Sequence, residues 1–412
     1  MSTRFQAPRG THDVLPAEQP LWQLVTNTLA EVAELHGYRR IQTPNFEDTE
    51  VFVRTSGAGS DVVQKEMYTF EDKGGRSLTL KPEGTAPIAR AYIEHGMHRE
   101  PQPVKLYTVA PMYRYEAPQK GRYREHWQVS VEAFGSDDPA LDAEVISLYG
   151  EFAARVGITK YVLQINSIGD ANCRPAYLEQ LNAWLDANAD VLDDDARQKR
   201  ERSPLRVFDV KSPQVRDALR NAPKIGDHLC AGCAEHFARV RAALDALGIP
   251  YELEPTLVRG LDYYTRTVFE FINPEEAAQP QICSGGRYDG LVDALGGPPT
   301  PAVGFGAGIE RALIALEAEG RIAEEPALDV FVVVGEETPR EPVLATLAGL
   351  RHKGLSADLD YAGRSFKGQM TQAGRTRART VVIVRGGEAT LRREGRNEQT
   401  VPLSEVVATL TE

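Results

Sequence analysis

At 412 residues the chain has room for two or three domains with buried cores. Its composition, 42% hydrophobic, 26% charged and 8% aromatic, excludes collagen-like, disordered and low-complexity classes, and no apolar run is long enough to span a bilayer. The net charge of −12 argues against a nucleic-acid partner until it is divided: residues 1–326 carry 35 basic and 48 acidic side chains (−13), residues 327–412 carry 12 and 11 (+1), and Arg364 to Arg396 holds nine Lys/Arg against two acids.

The opening MSTRFQAPRGTHDVLP lacks the apolar core of a signal peptide and the Arg/Ser bias of a transit peptide. With four cysteines in so long a chain, a reducing, cytoplasmic setting is expected. After Pro16, the residues Leu21, Leu24, Val25, Leu29, Val32 and Leu35 lie on one face of an amphipathic helix stopped by Gly37. Tyr38 to Val53 reads as extended, interrupted at Pro44, and a Gly/Ser/Asp loop then leads to KEMYTF. Strands are predicted at Ser77–Lys81, Val104–Tyr115 and His126–Phe134, with a short helix near Thr85–Gly96. Asp138 and Pro139 start a helix carrying the stripe Leu141, Val145, Leu148, Phe152 and Val156. Residues 166–250 read as helical, charged and turn-rich, without a legible motif; strand-like sequence resumes at Tyr251. The polar stretch Gly320–Leu328 marks a boundary. Beyond it DVFVVVG and TVVIVRGG are apolar runs of the kind buried on both faces of a parallel sheet, with a helix at Pro342–Lys353 between them. The expectation is an α+β domain on an antiparallel sheet, followed by a small α/β domain.

Several segments carry chemistry. In YRYEAPQKGRYREHWQVSVEAFG, two strand-like pieces flank a loop with Lys120, Arg122 and Arg124; a period of two puts Arg114 with Glu116, and Gln128 with Ser130 and Glu132. Arginine suits a phosphate because its planar fork donates two hydrogen bonds without losing charge. LVRGLDYYTRT sets Arg259 ahead of Tyr263 and Tyr264, whose rings serve either a small aromatic ligand or the core. SGGRYDG admits close backbone approach, and GFGAGIERAL, which fits neither dinucleotide nor P-loop spacing, lets a helix pack tightly while presenting Glu310 and Arg311. His228, Cys230, Cys233 and His236 are each acceptable zinc ligands, but four ligands within nine residues rarely wrap a tetrahedron. They are read as core or helix-end residues, and no resident metal is expected.

In combination these segments resemble the histidyl-tRNA synthetase family of class II aminoacyl-tRNA synthetases, over essentially the whole chain. The resemblance rests on PRGTHDVLP, SDVVQKEMYTF, LKPEGTAP, RYEAPQKGRYREHWQ, LVRGLDYYT, GGRYDG and GFGAGIER, in the family's order. It implies a six-stranded antiparallel sheet for the catalytic domain (1–165 and 251–326), a helical insertion (166–250) and a C-terminal anticodon-binding α/β domain (327–412). It further implies ATP-dependent activation of L-histidine to the adenylate and transfer to the 3′ end of tRNA(His), with ATP and Mg2+ as a substrate complex, no tightly bound cofactor, and a homodimer joined through the first long helix and the following strand. By resemblance, Arg114 and Arg259 are catalytic and bind ATP together with Glu116 and Arg311. Glu83, Thr85 and Gln128 hold the histidine α-amino group, and Glu132 and Tyr264 hold its imidazole, with Tyr263 and Tyr288 lining the pocket. Lys120, Arg122 and Arg124 are candidates for contacting tRNA. Ala117, Lys81, His126 and Trp127 depart from the family's usual residues without removing a substrate ligand. The rival reading is a non-catalytic synthetase-like regulatory subunit of histidine biosynthesis; the presence of Arg114, Gln128, Glu132, Arg259, Tyr264 and Arg311 favours the enzyme.

Overall fold

The structure, a computed structural model, describes residues 5–57, 60, 62–261, 263–276, 280–322 and 327–411. Asp61 and Asp262 of the quoted motifs, and the stretch 323–326 that adjoins the expected boundary, lie outside the described residues. The chain divides into two compact units, Met1–Ala323 and Glu324–Glu412.

In the first unit the chain lays down β1 (Arg39–Arg40), then β2 (Phe46–Asp48), β3 (Tyr68–Glu71) and β4 (Ser77–Leu80), which form a small antiparallel sheet in the order β2-β4-β3. The long strands β5 (Val104–Tyr113) and β6 (Glu125–Phe134) follow, and later β7 (Val162–Ser167), β8 (Glu252–Leu253), β9 (Thr265–Ile272), β10 (Gln281–Arg287) and β11 (Ala302–Gly308). These make one sheet in the order β1-β5-β6-β11-β10-β9-β7-β8. Its six central strands are antiparallel, as the resemblance implies, and the two-residue edge strands β1 and β8 add parallel pairs.

Strand alternation divides the sheet into two faces. Val129, Val131 and Ala133 of β6, with Val303 and Phe305 of β11, join the main core. That core is roofed by helices Gln19–Leu35, Pro139–Val156, Ala231–Ala246 and Ile309–Ala318. The intervening residues Gln128, Ser130 and Glu132 face the other side, where helix Thr85–Glu94 covers one end. Helix Pro139–Val156 begins where expected: the Asp138 side chain accepts from the Ala140 amide, Pro139 opens the first turn, and Gly157 closes it at φ +90°. Within 166–250, helices Arg174–Ala187, Asp194–Arg202 and Pro213–Leu219 gather a small core of their own around Tyr177, Leu181 and Val207. Helix Ala231–Ala246 instead inserts Val240 and Leu244 into the main core.

Two local expectations change, and two glycine-rich segments without an assignment prove to be strands. Thr49–Ser56 is helical rather than extended, because Asp48 caps it through the Glu50 amide and overrides the β-branched run. β5 ends at Tyr113, so Arg114 and Glu116 sit in a turn instead of sharing a strand face. The SGG and GFGAG segments, which the sequence marks only by their glycines, are strands β10 and β11. Their glycines are required by close approach: a Cβ on Gly304 would lie 2.0 Å from Glu132 Oε2, and one on Gly285 would lie 2.2 Å from the Gly304 carbonyl oxygen.

In the second unit β12 (Val330–Val334), β13 (Ala357–Leu359) and β14 (Thr380–Arg385) pair in parallel, and β15 (Glu388–Arg393) and β16 (Gln399–Pro402) extend the sheet antiparallel, in the order β13-β12-β14-β15-β16. Val330 and Val332 pack with Val343, Leu347 and Leu350 of helix Arg340–His352, while Phe331 and Val333 pack with Phe366, Met370 and Ala373 of helix Phe366–Arg375. Burial on both faces explains the unbroken apolar run.

Candidate active site

A cleft of about 600 Å³ opens on the face of the main sheet opposite the helical roof. Cross-strand rows define its floor. Glu132 stands opposite Gly304, which stands opposite Gly286; the next row runs Ser130, Gly306, Ser284, Glu270. The glycines leave the middle of the floor without side chains. Glu83, Thr85, Arg114, Glu116, Arg122, Gln128, Arg259, Tyr263, Tyr264 and Arg311 line the cleft. Sequence separations as large as that between Glu83 and Arg311 are thus closed by the sheet.

Near helix Thr85–Glu94 the cleft is acidic and aromatic. Glu83 accepts from the amides of Thr85 (2.6 Å) and Ala86 (2.9 Å), which fixes it at the helix start. Burial raises its pKa against these lowering hydrogen bonds. Glu132 lies one layer below the cleft lining, fully buried; Thr85 Oγ1 donates to it at 2.6 Å and the Tyr288 hydroxyl donates to its other oxygen. Burial pushes the Glu132 carboxyl up to about 8, with Glu83 adding to the effect, against the lowering hydrogen bonds from Thr85 and Tyr288. Tyr263, Tyr264 and Tyr288 form a ring cluster with centroids 4.6 to 6.3 Å apart. Gln128 donates to Ser130 Oγ at 2.9 Å.

Around the β5–β6 turn and the start of helix Ile309–Ala318 the cleft is cationic. Arg114 Nε donates to the Pro82 carbonyl at 2.7 Å, and Arg311 donates to the Gln281 carbonyl at 2.6 Å. Glu116 lies 3.2 Å from Arg122 and 3.8 Å from Arg114. Burial, together with the neighbouring Arg122 and Arg114 charges, lowers Arg311 to about 10. Burial and the charges of Arg114 and Arg311 drive His126 down to about 3, so it lines the cleft as a neutral ring. Arg259 pairs with Glu270, donates to Ser284 Oγ at 2.7 Å and lies over the Tyr264 ring at 5.8 Å. A site with surplus cations at one part and buried carboxyls at another fits a zwitterionic or cationic small molecule beside a polyanion.

Lys120 and Arg124 do not line the cleft. Lys120 is exposed and pairs with Glu317 at 3.2 Å; Arg124 lies over the Tyr115 ring at 3.8 Å and donates to the Glu116 carbonyl. Of the departures noted in the sequence, Lys81 is buried with its Nζ 3.4 Å from the Thr43 carbonyl, and Trp127 meets Trp22 edge-on at 6.1 Å. Sequence reasoning missed Asp195, Lys199, Arg206, Asp209 and Lys211, which the insertion contributes to the cleft lining, and the Arg206 contact with the Gly260 carbonyl. It also missed Ser284 and Glu270, whose only signal is their register with Gly306. His228 packs against Tyr177 at 5.6 Å and the buried His236 lies 3.5 Å from Asp142, so neither histidine joins the cysteine pair. In the second unit, Arg364, Lys367, Arg375, Arg377, Arg379, Arg385, Arg392 and Arg396 are exposed.

The model of the histidyl-tRNA synthetase family matches residues 10–312. The histidine–tRNA ligase of Moorella thermoacetica is 49% identical over 407 residues, covering 97% of this chain and 96% of that protein. That of Anaeromyxobacter dehalogenans is 46% identical over 411 residues, covering 98% and 99%. Among solved structures, apo histidyl-tRNA synthetase from S. aureus superposes with a TM-score of 0.83 at 37% identity, over 99% of this chain and 100% of that one. An ATP phosphoribosyltransferase regulatory subunit/histidyl-tRNA synthetase from Bacillus halodurans, at 22% identity and a TM-score of 0.65, is alike in fold alone.

Proposed function

Because the chain belongs to the histidyl-tRNA synthetase family and joins histidine to tRNA, we propose that the cleft carries this out with its acidic part on the amino acid and its cationic part on MgATP. In the first step a histidine carboxylate oxygen attacks the α-phosphorus in line, the bond to pyrophosphate breaks, and histidyl-adenylate forms. In the second, the terminal ribose hydroxyl of the tRNA attacks the acyl carbon, AMP leaves, and a proton is released.

The observation that carries this reading is the charge layout of one cleft: Arg114, Arg122 and Arg311 crowd together, while Glu83 and Glu132 are buried without a cation in hydrogen-bond contact among the described residues. Crowded guanidinium groups are relieved by phosphate charge, which supports Arg114 and Arg311 as nucleotide ligands and Glu116 as acceptor for the adenine amino group. Arg259, oriented by Glu270 and Ser284, is the group proposed to neutralise charge developing on the α-phosphate. Glu83, Thr85 and Gln128 take the α-amino group. Glu132, acting through Thr85 and Tyr288, and Tyr264 select the imidazole, with Tyr263 enclosing it. A buried carboxyl left unpaired by Phe or Leu gives strong discrimination.

The exposed arginines of the second unit support an anticodon-side surface within the proposed domain 327–412, and Lys120, Arg122 and Arg124 a contact for the acceptor end. A homodimer is supported by the face of the small sheet: Phe46 and Phe70 are about half exposed and meet edge-on at 6.4 Å, and Leu78 and Leu80 share that face. Cytoplasmic location follows from the activity; no helix among the described residues is long and apolar enough to cross a membrane.

The test is amino-acid-dependent exchange of labelled pyrophosphate into ATP, run with each of the twenty amino acids and no tRNA. Exchange with histidine alone is the expected result. Folded protein that supports no exchange would overturn the reading in favour of a regulatory subunit.

A further inference from the structure

β7 runs out at Ser167 into a tight bend: Gly169 has φ +63°, and Asp170 and Cys173 follow before helix Arg174–Ala187. The second approach comes from Cys230, which stands at the N-cap of helix Ala231–Ala246, and Cys233 in its first turn. The fold brings these two segments together. One ligand atom from each of Asp170, Cys173, Cys230 and Cys233 falls within 4.8 Å of the others, and all three thiols are free. Cys173 Sγ is 3.6 Å and Cys230 Sγ 3.9 Å from the same oxygen, Asp170 Oδ1.

We propose that Asp170, Cys173, Cys230 and Cys233 are the four ligands of a structural zinc ion that fastens the end of β7 to the start of helix Ala231–Ala246. A tetrahedron with metal–sulfur bonds of about 2.3 Å sets its ligands about 3.8 Å apart, close to the separations already present. The layout is a C-x-x-C turn plus a second pair from a distant segment, which is the arrangement that the histidines of the sequence motif do not provide. Three sulfurs and a carboxylate select zinc over hard cations.

The surroundings fit ligation. Arg266 lies 3.6 Å from Asp170 Oδ2, and Oδ1, which the sulfurs face, accepts from the Asn172 amide at 2.9 Å and keeps a second lone pair for an ion. The Asp170 amide donates to Cys173 Sγ at 3.3 Å. A Cβ on Gly169 would stand 2.5 Å from Cys173 Sγ, so the backbone wraps the cluster too closely for any side chain there. Cys173 and Cys233 are buried, whereas Asp170 and Cys230 are half-buried and give an ion its way in. The bend is also tied to the cleft: Arg174 donates to the Ile168 and Tyr264 carbonyls, and the Arg266 amide donates to the Gly169 carbonyl at 2.8 Å. The ion would therefore brace the backbone from which Tyr264 projects.

The experiment is metal analysis of the full-length chain, purified without chelator from zinc-supplemented cells. Close to one zinc per chain is expected, with Cys173→Ser and Cys230→Ser each losing most of it and His228→Asn retaining it. Metal-free wild-type protein given cobalt(II) needs no variant: a near-ultraviolet thiolate-to-cobalt band with tetrahedral ligand-field bands is expected, and removal of the metal should lower the Tm. A chain that takes up neither metal, zinc that stays in the doubly substituted Cys173→Ser/Cys230→Ser protein, or a disulfide between Cys173 and Cys230 in fresh protein would each overturn the site.

Discussion

On the helix-covered face of the main sheet Asp142 meets Arg287; on the open face Glu132 meets Thr85 and Tyr288. Both carboxyls are fully buried. Asp142 receives the Arg287 guanidinium and the Thr267 hydroxyl at 2.6 Å, and Arg287 spends a further donor on the Ser136 carbonyl at 2.9 Å. The carboxylate there has a matching cation and accepts hydrogen bonds on both oxygens. Glu132 has hydrogen-bond donors but no cation among the described residues, and burial holds it at about 8. Where burial is matched by an opposite charge the group serves the fold; where it is not, the site is arranged for a charge that arrives with a ligand.

The difference can be broken from either side. Arg287→Ala leaves Asp142 buried and unpaired, and should cost about 3–5 kcal/mol in a denaturant titration. A cost near zero would mean that the pair is not the brace described. On the open face, Arg259→Ala should reduce histidine-dependent pyrophosphate exchange by about 10²–10³-fold, the scale of losing one donor to developing charge, with the unfolding transition little moved. The fold tolerates the loss because Glu270 keeps 17% of its side-chain surface exposed, where Asp142 keeps none, so water can meet the carboxylate that Arg259 leaves. Equal losses of stability and activity would count against the assignment.

Smaller effects sharpen the contrast. Gly304→Ala puts a methyl group on the Glu132 carboxyl and should cost about 1–3 kcal/mol while raising the KM for histidine. An unchanged KM would separate Glu132 from the amino acid. Protonation gives a further handle: with Glu132 raised to about 8 it is mostly neutral at pH 7, and the positive charge that histidine brings into the cleft favours its ionised form, which releases a proton. Calorimetry in buffers of different ionisation heat should find proton release on histidine binding near pH 7, fading as pH rises past 8 and absent in Glu132→Gln. Last, replacing Arg375 and Arg379 by Glu should weaken tRNA charging most at low salt and less as salt is raised, and leave pyrophosphate exchange untouched.

Much of the frame is legible in the sequence because burial writes it there. The alternation around Val129 and Val131 gives the core face of β6, and the unbroken DVFVVV run gives a strand buried on both sides. The cleft residues stand out through residue types that a core does not need, such as Arg259 ahead of two tyrosines. What stayed hidden depends on register and distance. Ser284 and Glu270 matter through their row with Gly306; Arg206 and Asp209 reach the cleft from a segment with no motif; Cys173 meets Cys230 only when β7 and a later helix are brought together. The glycines of GFGAG carry no strand signal, because glycine lacks the side chain that strand periodicity is read from; here they thin a strand to admit Glu132 and Gln128.

The most direct test of the contrast between the faces is a paired measurement on Glu132→Gln: the thermal transition and the histidine-dependent exchange. The account predicts a Tm equal to or above that of the wild type, since a buried acid is replaced by a neutral isostere, with exchange falling by two orders of magnitude or so. A variant that unfolds early but exchanges normally once folded would contradict it, and would place Glu132 with Asp142 among the braces of the sheet.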